Sequence, residues 1–492
     1  MISRELIAPL MFGGLIVFTL IGYPVAFSLG AVGLFFGVVG IELGYFNLSL
    51  LQALPDRVFG ILANDLLLSI PFFTFMGTIL ERCGLAEDLL EATGQLFGPV
   101  RGGLAYAVIL VGALLGAITG TVAASVIAMG LISLPVMLRY GYNVRMATGV
   151  IAASGTITQL IPPSLVLIVL ADQLGKPVGE MYAGAIGPSI VQVLLFCLFV
   201  FIVSIVKPGD VPALPKEART LHGAALVKRV MWGMVPSLVL IFLVLGTILA
   251  GIATSTEGGA MGAVGAIALA AMHRRLTWGL LWQGMSSTLR ITAMVIFILI
   301  GSTVFTLVFR GVDGDLWIEN MLLSLPGGTV GFLFAVNIFI FVLAFFLDFF
   351  EIAFIVIPLL APVADKLGID LIWFGVLLGA NMQTSFMHPP FGFALFYLRG
   401  VAPKEVKSSD IYWGAVPWVV MQLLLVAILI FWPGLVTSFV PKPQASDPSR
   451  LEFQLEQARP PVEPPGGERD KAGSEQKSDD PSSDIERLLK QR

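Results

Sequence analysis

The 492-residue chain is 57% hydrophobic and only 13% charged, with a formal net charge of −4 and a mean hydropathy of +0.90. Soluble domains carry about 25% charged residues, so this composition excludes an ordinary soluble fold, and the absence of a basic surface leaves no nucleic-acid partner to expect. Repeated apolar stretches reach the roughly 20 residues needed to cross about 30 Å of hydrocarbon and lack the alternation of barrel strands. They predict an all-α polytopic membrane protein in contact with membrane lipid.

Residues 7–22 and 24–40 read as two spans parted at Gly22-Tyr23-Pro24, because Gly and Pro are the strongest local breakers. No basic n-region and Ala-x-Ala cleavage site precede them, so the first helix is expected to be retained. An interfacial segment leads to a third span, 66–80, and 85–100 has Glu87, Asp88 and Glu91 among leucines, a pattern that suits the membrane surface. Cys83 and Cys197, the only cysteines, suggest neither a disulfide nor a metal site. The run 104–138 is nearly uncharged, yet a straight helix of that length would measure about 50 Å. Its centre reads GAITGTVAAS. A re-entrant hairpin with its tip at Thr119-Gly120-Thr121 is therefore expected. Residues 144–174 are also overlong and carry GTITQLIPPS, which predicts a broken helix. After a plain span at 181–206, the linker 207–230 holds Lys207, Lys216, Arg219, Lys228 and Arg229. The positive-inside rule makes it cytoplasmic.

Residues 231–250 and 255–272 form an out-and-back pair, the second opened by the capping-box sequence Thr254-Ser255-Thr256-Glu257. A span at 288–309 follows, and Asp313, Asp315 and Glu319 open another surface segment. The overlong run at about 330–365, interrupted by Asp348-Phe349-Phe350-Glu351, predicts a second hairpin. Residues 371–397 predict a second broken helix and 412–435 the last span. From 441 to 492 the chain is rich in Pro, Glu, Ser, Asp and Lys, a mixture expected to stay disordered. Sliding the chain by 227 positions puts Pro162 and Pro163 on Pro389 and Pro390, Pro135 on Pro362, Gly141 on Gly368, Ala153 on Ala380 and Thr121 on Asp348. Residues 1–206 and 231–440 thus read as two repeats. Ten crossings and two hairpins, with the positions of the basic loops, put both termini outside and give the repeats inverted topology.

Irregular backbone at membrane depth is tolerated only where it is buried in protein or lines a wet cavity. Two tips and two breaks meeting near the midplane would present unwound carbonyls to Na⁺ and free N–H groups to an anionic carboxylate. The candidate binding residues are Thr119, Gly120, Thr121, Ser125, Gly155, Thr156, Thr158, Pro162 and Pro163 in the first half. In the second they are Asp348, Glu351, Gly379, Asn381, Gln383, Thr384, Ser385, Pro389 and Pro390. Na⁺ is expected at Thr119, Thr121, Gly155, Thr156, Gly379 and Thr384, where neutral oxygens suit a weakly held hard cation and carboxylates are too few for a Ca²⁺ cage. Simpler readings stand beside each: close packing for the small and hydroxyl residues, kinks for the prolines, a cap for Glu257 and a structural hydrogen bond for His388. Asp348 and Glu351 have three open readings, namely cation binding, proton relay or an aqueous vestibule.

SIPFFTFMG (69–77), GAITGTVAAS, LPVMLRYGY (134–142), GTITQLIPPS, GIATSTEGG (251–259) and GIDLIWFGV (368–376) together resemble the large membrane subunit of the tripartite ATP-independent periplasmic (TRAP) transporters, over about residues 7–435. The resemblance implies an inner-membrane, elevator-type secondary transporter with Na⁺ as coupling ion and no resident cofactor. It also implies a small four-helix membrane subunit and a periplasmic binding protein that delivers a small organic acid. DFFE is more acidic than the second tip of many members, and His388 stands where a small hydroxyl residue is common. NMQTSFMHPPFGFALFYLRGVAP (381–403) is similar to a branch loosely labelled for mannitol or chloroaromatic compounds, whose relatives handle 2-oxo acids and lactate. The alternatives are a self-sufficient Na⁺/carboxylate symporter, whose Ser-Asn-Thr tips are absent here, a passive channel, and a membrane-embedded enzyme. Against the enzyme stand only three histidines, no HExxH and no nucleophile paired with a base. No catalytic residue is assigned.

Overall fold

The computed structural model describes residues 4–219, 223–389 and 392–441, and every regular element among them is helical. The tail expected to be disordered and Pro390 lie outside the described residues. Polar caps start the helices where the sequence places them. Asn64 accepts from the Leu66 N–H at 3.0 Å, and Thr254 and Glu257 form the expected capping box. Each such bond satisfies a donor that the helix itself cannot.

The first overlong run folds as two helices, Gly103–Thr119 and Val122–Arg139. Their direction follows from what they touch. Gly112 lies against Ser154 and Gly116 against Thr158, so the first arm runs parallel to Val144–Thr156, whereas Val126 of the second arm meets Gly155 and the chain turns back at 140–143. The arms are therefore antiparallel. The first arm begins and the second ends at the loop 207–219: the Gly102 N–H donates to Val211 O at 2.9 Å and the Asn143 N–H to Asp210 O at 3.0 Å, and the Leu104 N–H donates to the Tyr142 hydroxyl at 3.2 Å across the two ends. A segment that enters and leaves at one end is a hairpin. The linker expected at 207–230 is thus partly the hairpin's base, and its last residues already belong to the helix Gly223–Leu249.

The second half has a comparable order of elements. Gly328–Leu343 is the first arm, and Phe349–Ile355 with Ile357–Lys366 the second. Phe332 stacks on Phe374 with the sequence separation by which Gly112 meets Ser154, and Asn337 pairs with Asn381. Element boundaries recur at 227 residues: Val122 and Phe349 open the second arms, Arg139 and Lys366 close them, and Val144 and Leu371 open the next helices. Gly141 and Gly368 have φ of +82° and +69°, the left-handed turn that a Cβ disfavours, and Asn143 and Asp370 cap the helices that follow. This local geometry is why those positions survive the shift of the sequence against itself.

Two further apolar runs are also interrupted. Val144–Thr156 gives way to a 3₁₀ turn at Ile157–Gln159 and irregular backbone before Leu165–Leu174, and Leu371–Met382 to Gln383–Met387 before Phe393–Val401. Gly375 packs on Leu174 and Gly379 on Leu170, so these parts of the two broken helices run antiparallel. Two apolar cores meet at the breaks. Residues 146–157 and 387–398 bury side chains in one core with Phe196 and Trp418, while 160–174 and 369–382 bury theirs in the other with Phe354 and Leu425. Each broken helix leaves one core and enters the other where its helix stops.

Several expectations shift. Six described helices are long and apolar enough to cross a membrane, or eight if each bent pair is one span, because the broken helices fall into pieces too short to count. The expected ten crossings are not recovered from helix length alone. The span expected at 288–309 is the 34-residue helix Trp278–Gly311, started early by Thr277, which caps the Leu280 N–H at 3.1 Å. The surface segment Leu85–Phe97 packs on protein rather than only along a membrane: Leu89 and Leu90 are buried, and Glu91 pairs with Arg229 at 2.8 Å. The second hairpin's outgoing arm is split at Val356, where Pro358 enters the next turn. Large apolar side chains such as Leu194, Phe201, Ile205 and Phe242 point outward along Val178–Val206 and Gly223–Leu249, a surface that suits lipid and not water.

Candidate functional site

A cavity of about 260 Å³ lies where the two hairpin tips and the two breaks meet. Gly120, Thr121, Val122 and Ala123 enter it from the first tip and Asp348, Phe349 and Phe350 from the second. Gln159, Leu165 and Val166 come from the first break, and Phe386, Phe393 and Tyr397 from the second. Ile291 and Met294 of the long helix Trp278–Gly311 close it. Val122, Leu165, Phe349 and Phe393 are the first residues of four helices, so four helix N-termini open on one space. Their positive dipole ends favour an anion there, although Ser164 already caps the Val166 N–H and Asp348 the Glu351 N–H.

The tips are built differently. Gly120 is left-handed at φ +60° and donates its N–H to Gly116 O at 3.1 Å, closing the arm that ends at Thr119, and extended Thr121 is the N-cap of the return arm. Its counterpart Asp348 accepts from the Glu351 N–H at 2.8 Å, while Glu351 accepts from the Asp348 N–H at 2.8 Å. The pair forms a reciprocal capping box. This local role was not among the three readings drawn from the sequence.

Of the expected site residues, Gly120, Thr121 and Asp348 line the cavity, and the other described ones do not. Thr156 donates to Ala153 O at 2.8 Å and accepts from Gln422 Nε2 at 2.8 Å. Gln383 exchanges bonds of 2.8 and 3.2 Å with Gln192, and Thr384 donates to Asn381 O at 2.7 Å. Ser125, Thr158 and Ser385 are buried, with Thr158 against Gly116. Gly155 has no space for a Cβ, which would fall 2.2 Å from Val126 Cγ2, whereas a Cβ on Gly379 would meet Leu170 at 3.1 Å. Pro162 lines a separate apolar recess with Ser189 and Ile190, Pro163 is buried behind Gly120, and Pro389 is exposed. His388 is held by rings and not by a hydrogen bond of normal geometry: it stacks on Phe345 at 4.1 Å and meets Phe341 edge-on at 4.5 Å.

Two buried oxygens 227 residues apart, Ser154 Oγ and Asn381 Oδ1, have no hydrogen-bond partner. A buried polar atom left unpaired costs free energy unless something not drawn satisfies it. Sequence reasoning passed over Ser154, Gln159, Asn337, Gln192, Tyr397 and Gln422. Asn337, Gln192 and Gln422 had a signal, a lone amide within an otherwise apolar helix, which in a membrane calls for a named partner. Gln159 lay inside the break motif itself.

A profile of the family described as "Tripartite ATP-independent periplasmic transporter, DctM component" matches residues 12–435. The C4-dicarboxylate TRAP transporter large permease protein DctM of Vibrio cholerae is 29% identical over 442 residues, covering 85% of this chain and 94% of the relative. The 2,3-diketo-L-gulonate TRAP transporter large permease protein YiaN of Escherichia coli is 25% identical over 374 residues, covering 75% and 85%. The ectoine/5-hydroxyectoine permease UehC of Ruegeria pomeroyi is 26% identical, covering 87% and 97%. The YdaH transporter of Alcanivorax borkumensis has a similar fold, with a TM-score of 0.56 at 15% identity over 80% of this chain and 90% of that one. These relatives are permeases, not enzymes. A multi-pass helical chain matched over nearly its whole described length by one profile belongs to the DctM family, the large permease subunits of TRAP transporters.

Proposed function

We propose that this permease couples an inward Na⁺ gradient to uptake of a small organic acid anion, a 2-oxo acid, hydroxy acid or dicarboxylate. The observation that carries the reading is the convergence of four helix N-termini on one cavity between the hairpin tips. A carboxylate seated there exchanges water for backbone N–H groups and dipole ends, without needing a basic side chain. Na⁺ fits the carbonyls and hydroxyls just behind: the breaks supply unwound backbone, and Ser154 Oγ and Asn381 Oδ1 supply one unpartnered oxygen per half. Relatives named for C4-dicarboxylate and for 2,3-diketo-L-gulonate support the acid class.

In this reading the repeats are inverted, and hairpins and broken helices move together as an elevator in the bacterial inner membrane, with both termini periplasmic. A small four-helix membrane subunit and a periplasmic binding protein complete the system. A relative from Oleidesulfovibrio alaskensis named "Isethionate TRAP transporter permease protein DctMQ" covers 88% of this chain while the match spans only 65% of its own length, which supports a partner subunit. The test is uptake of radiolabelled 2-oxo, hydroxy and C4-dicarboxylic acids by proteoliposomes holding the chain, the small subunit and the binding protein. Uptake that needs external Na⁺ and all three components supports the proposal. Equal uptake in choline buffer removes the coupling ion, and uptake by the chain alone favours a self-sufficient symporter.

A further inference from the structure

The span after each broken helix carries a buried glutamine amid mainly apolar residues: Gln192 in Val178–Val206 and Gln422 in Ser408–Phe431. Neither bonds to the break of its own half. Gln192 Nε2 donates to Gln383 Oε1 at 2.8 Å and Gln383 Nε2 returns a bond at 3.2 Å, while Gln422 Nε2 donates to Thr156 Oγ1 at 2.8 Å. Thr156 and Gln383 are 227 residues apart. Each stands where its helix gives way to a 3₁₀ turn. All four side chains are at most 1% exposed. The two halves are thus tied by two swapped side-chain contacts, the first half holding the second's break and the second holding the first's.

A buried amide is costly unless it is paired, so two such glutamines are poor choices for packing alone. The geometry at Thr156 shows what the bond achieves. Its O–H donates to Ala153 O at 2.8 Å, with Met387 Sδ a second acceptor at 3.8 Å, and Gln422 occupies one oxygen lone pair, which restricts where the other can point. A break without that tether is free to turn its hydroxyl and carbonyls. We infer that Gln192 and Gln422 are positioning residues, each setting the ion-binding geometry of the opposite half's break. The inference rests on the sodium reading above and adds that the ion sites of the two halves are coupled crosswise.

The experiment is a double-mutant cycle on the full-length chain in detergent, reading the NaCl concentration that gives half-maximal rise in melting temperature, with choline chloride as control. Q192M, Q422M, T156V and Q383M remove one bonding group each while nearly keeping volume. Each is expected to raise the midpoint about fivefold, the scale of one neutral hydrogen bond. Q422M with T156V, and Q192M with Q383M, should do no more than the worse single change, whereas Q422M with Q383M, and Q192M with T156V, should accumulate. Additivity within the bonded pairs, coupling within a half, or unshifted midpoints in the glutamine variants overturns the inference alone. A wild-type protein whose melting ignores Na⁺ overturns the sodium reading, and the inference with it. Should a methionine variant not fold, Thr156→Ser, which keeps the hydroxyl, is expected to leave the midpoint in place where Thr156→Val moves it; equal effects of the two overturn the inference.

Discussion

The two hairpin tips face one cavity from corresponding places in the chain, yet one is made by backbone and the other by acidic side chains. At the first, left-handed Gly120 turns the chain and neutral Thr121 stands at the N-cap; at the second, Asp348 and Glu351 lock the same corner by exchanging hydrogen bonds with each other's backbone N–H groups. The corner itself is common to both, a helix start aimed at the cavity. The difference teaches that the acidic pair has a structural job before any functional one, since a capping box satisfies two donors that otherwise face a partly buried space. It also leaves the cavity lopsided, with a carboxylate on one wall and a hydroxyl on the other.

The strongest way to break that comparison is to fill the neutral tip. Thr121→Phe should reduce uptake roughly a hundredfold or more, the scale on which misplacing a binding group by about 1 Å acts, while membrane expression is unchanged. Ordinary uptake in that variant would remove the first tip from the site. A smaller effect separates the breaks. Gly155→Ala should destabilise the protein by about 1–3 kcal/mol, because its Cβ collides with Val126, whereas Gly379→Ala should cost under about 1 kcal/mol, since Leu170 needs to give only slightly. Melting temperatures of the two variants side by side check the order.

Much of this plan was legible beforehand, for identifiable reasons. The hairpins announced themselves because runs such as 104–138 are too long to cross straight and too apolar to leave the membrane. The shift by 227 was visible because Gly141 and Gly368 both take positive φ at the same kind of turn. What stayed hidden depended on contacts between distant segments. No local pattern says that Gln422 reaches Thr156 rather than its own half, that the 207–219 loop seals the first hairpin's base, or that Leu89 and Leu90 face protein. The capping box at Asp348 was readable, since Asp-x-x-Glu opens a helix there as Thr254-Ser255-Thr256-Glu257 does elsewhere. It was missed because charge at membrane depth drew attention to function first.

The acidic tip can be tested on its two roles separately. Asp348→Ala removes the cap and should lower stability by about 1 kcal/mol. Asp348→Asn keeps an acceptor, loses the acid, and should match wild type in both melting temperature and uptake to within about twofold, because an amide oxygen caps the Glu351 N–H as the carboxyl oxygen does. Uptake lost in the Asn variant at unchanged stability would show that the carboxylate acts on the ion, a proton or the substrate.

The smallest effect is expected at His388, and it separates a ring from a titrating group. His388 is buried next to the second break, stacked on Phe345 with planes 15° apart and set against the face or edge of Phe341 at 79°. Both contacts ask for a flat ring and neither asks for a proton. Stacked and edge-on pairs of this kind contribute about 0.5–1.5 kcal/mol beyond area, and phenylalanine can make the same pair while removing two buried nitrogens that lack normal partners. His388→Phe should therefore change stability by less than about 1 kcal/mol and leave the dependence of uptake on external pH between about 5 and 8 unaltered, that being the window in which an imidazole changes charge. Alanine at the same position removes the ring and should cost more. A flattened pH profile in the phenylalanine variant, with melting unchanged, would instead make this histidine a working group of the second half.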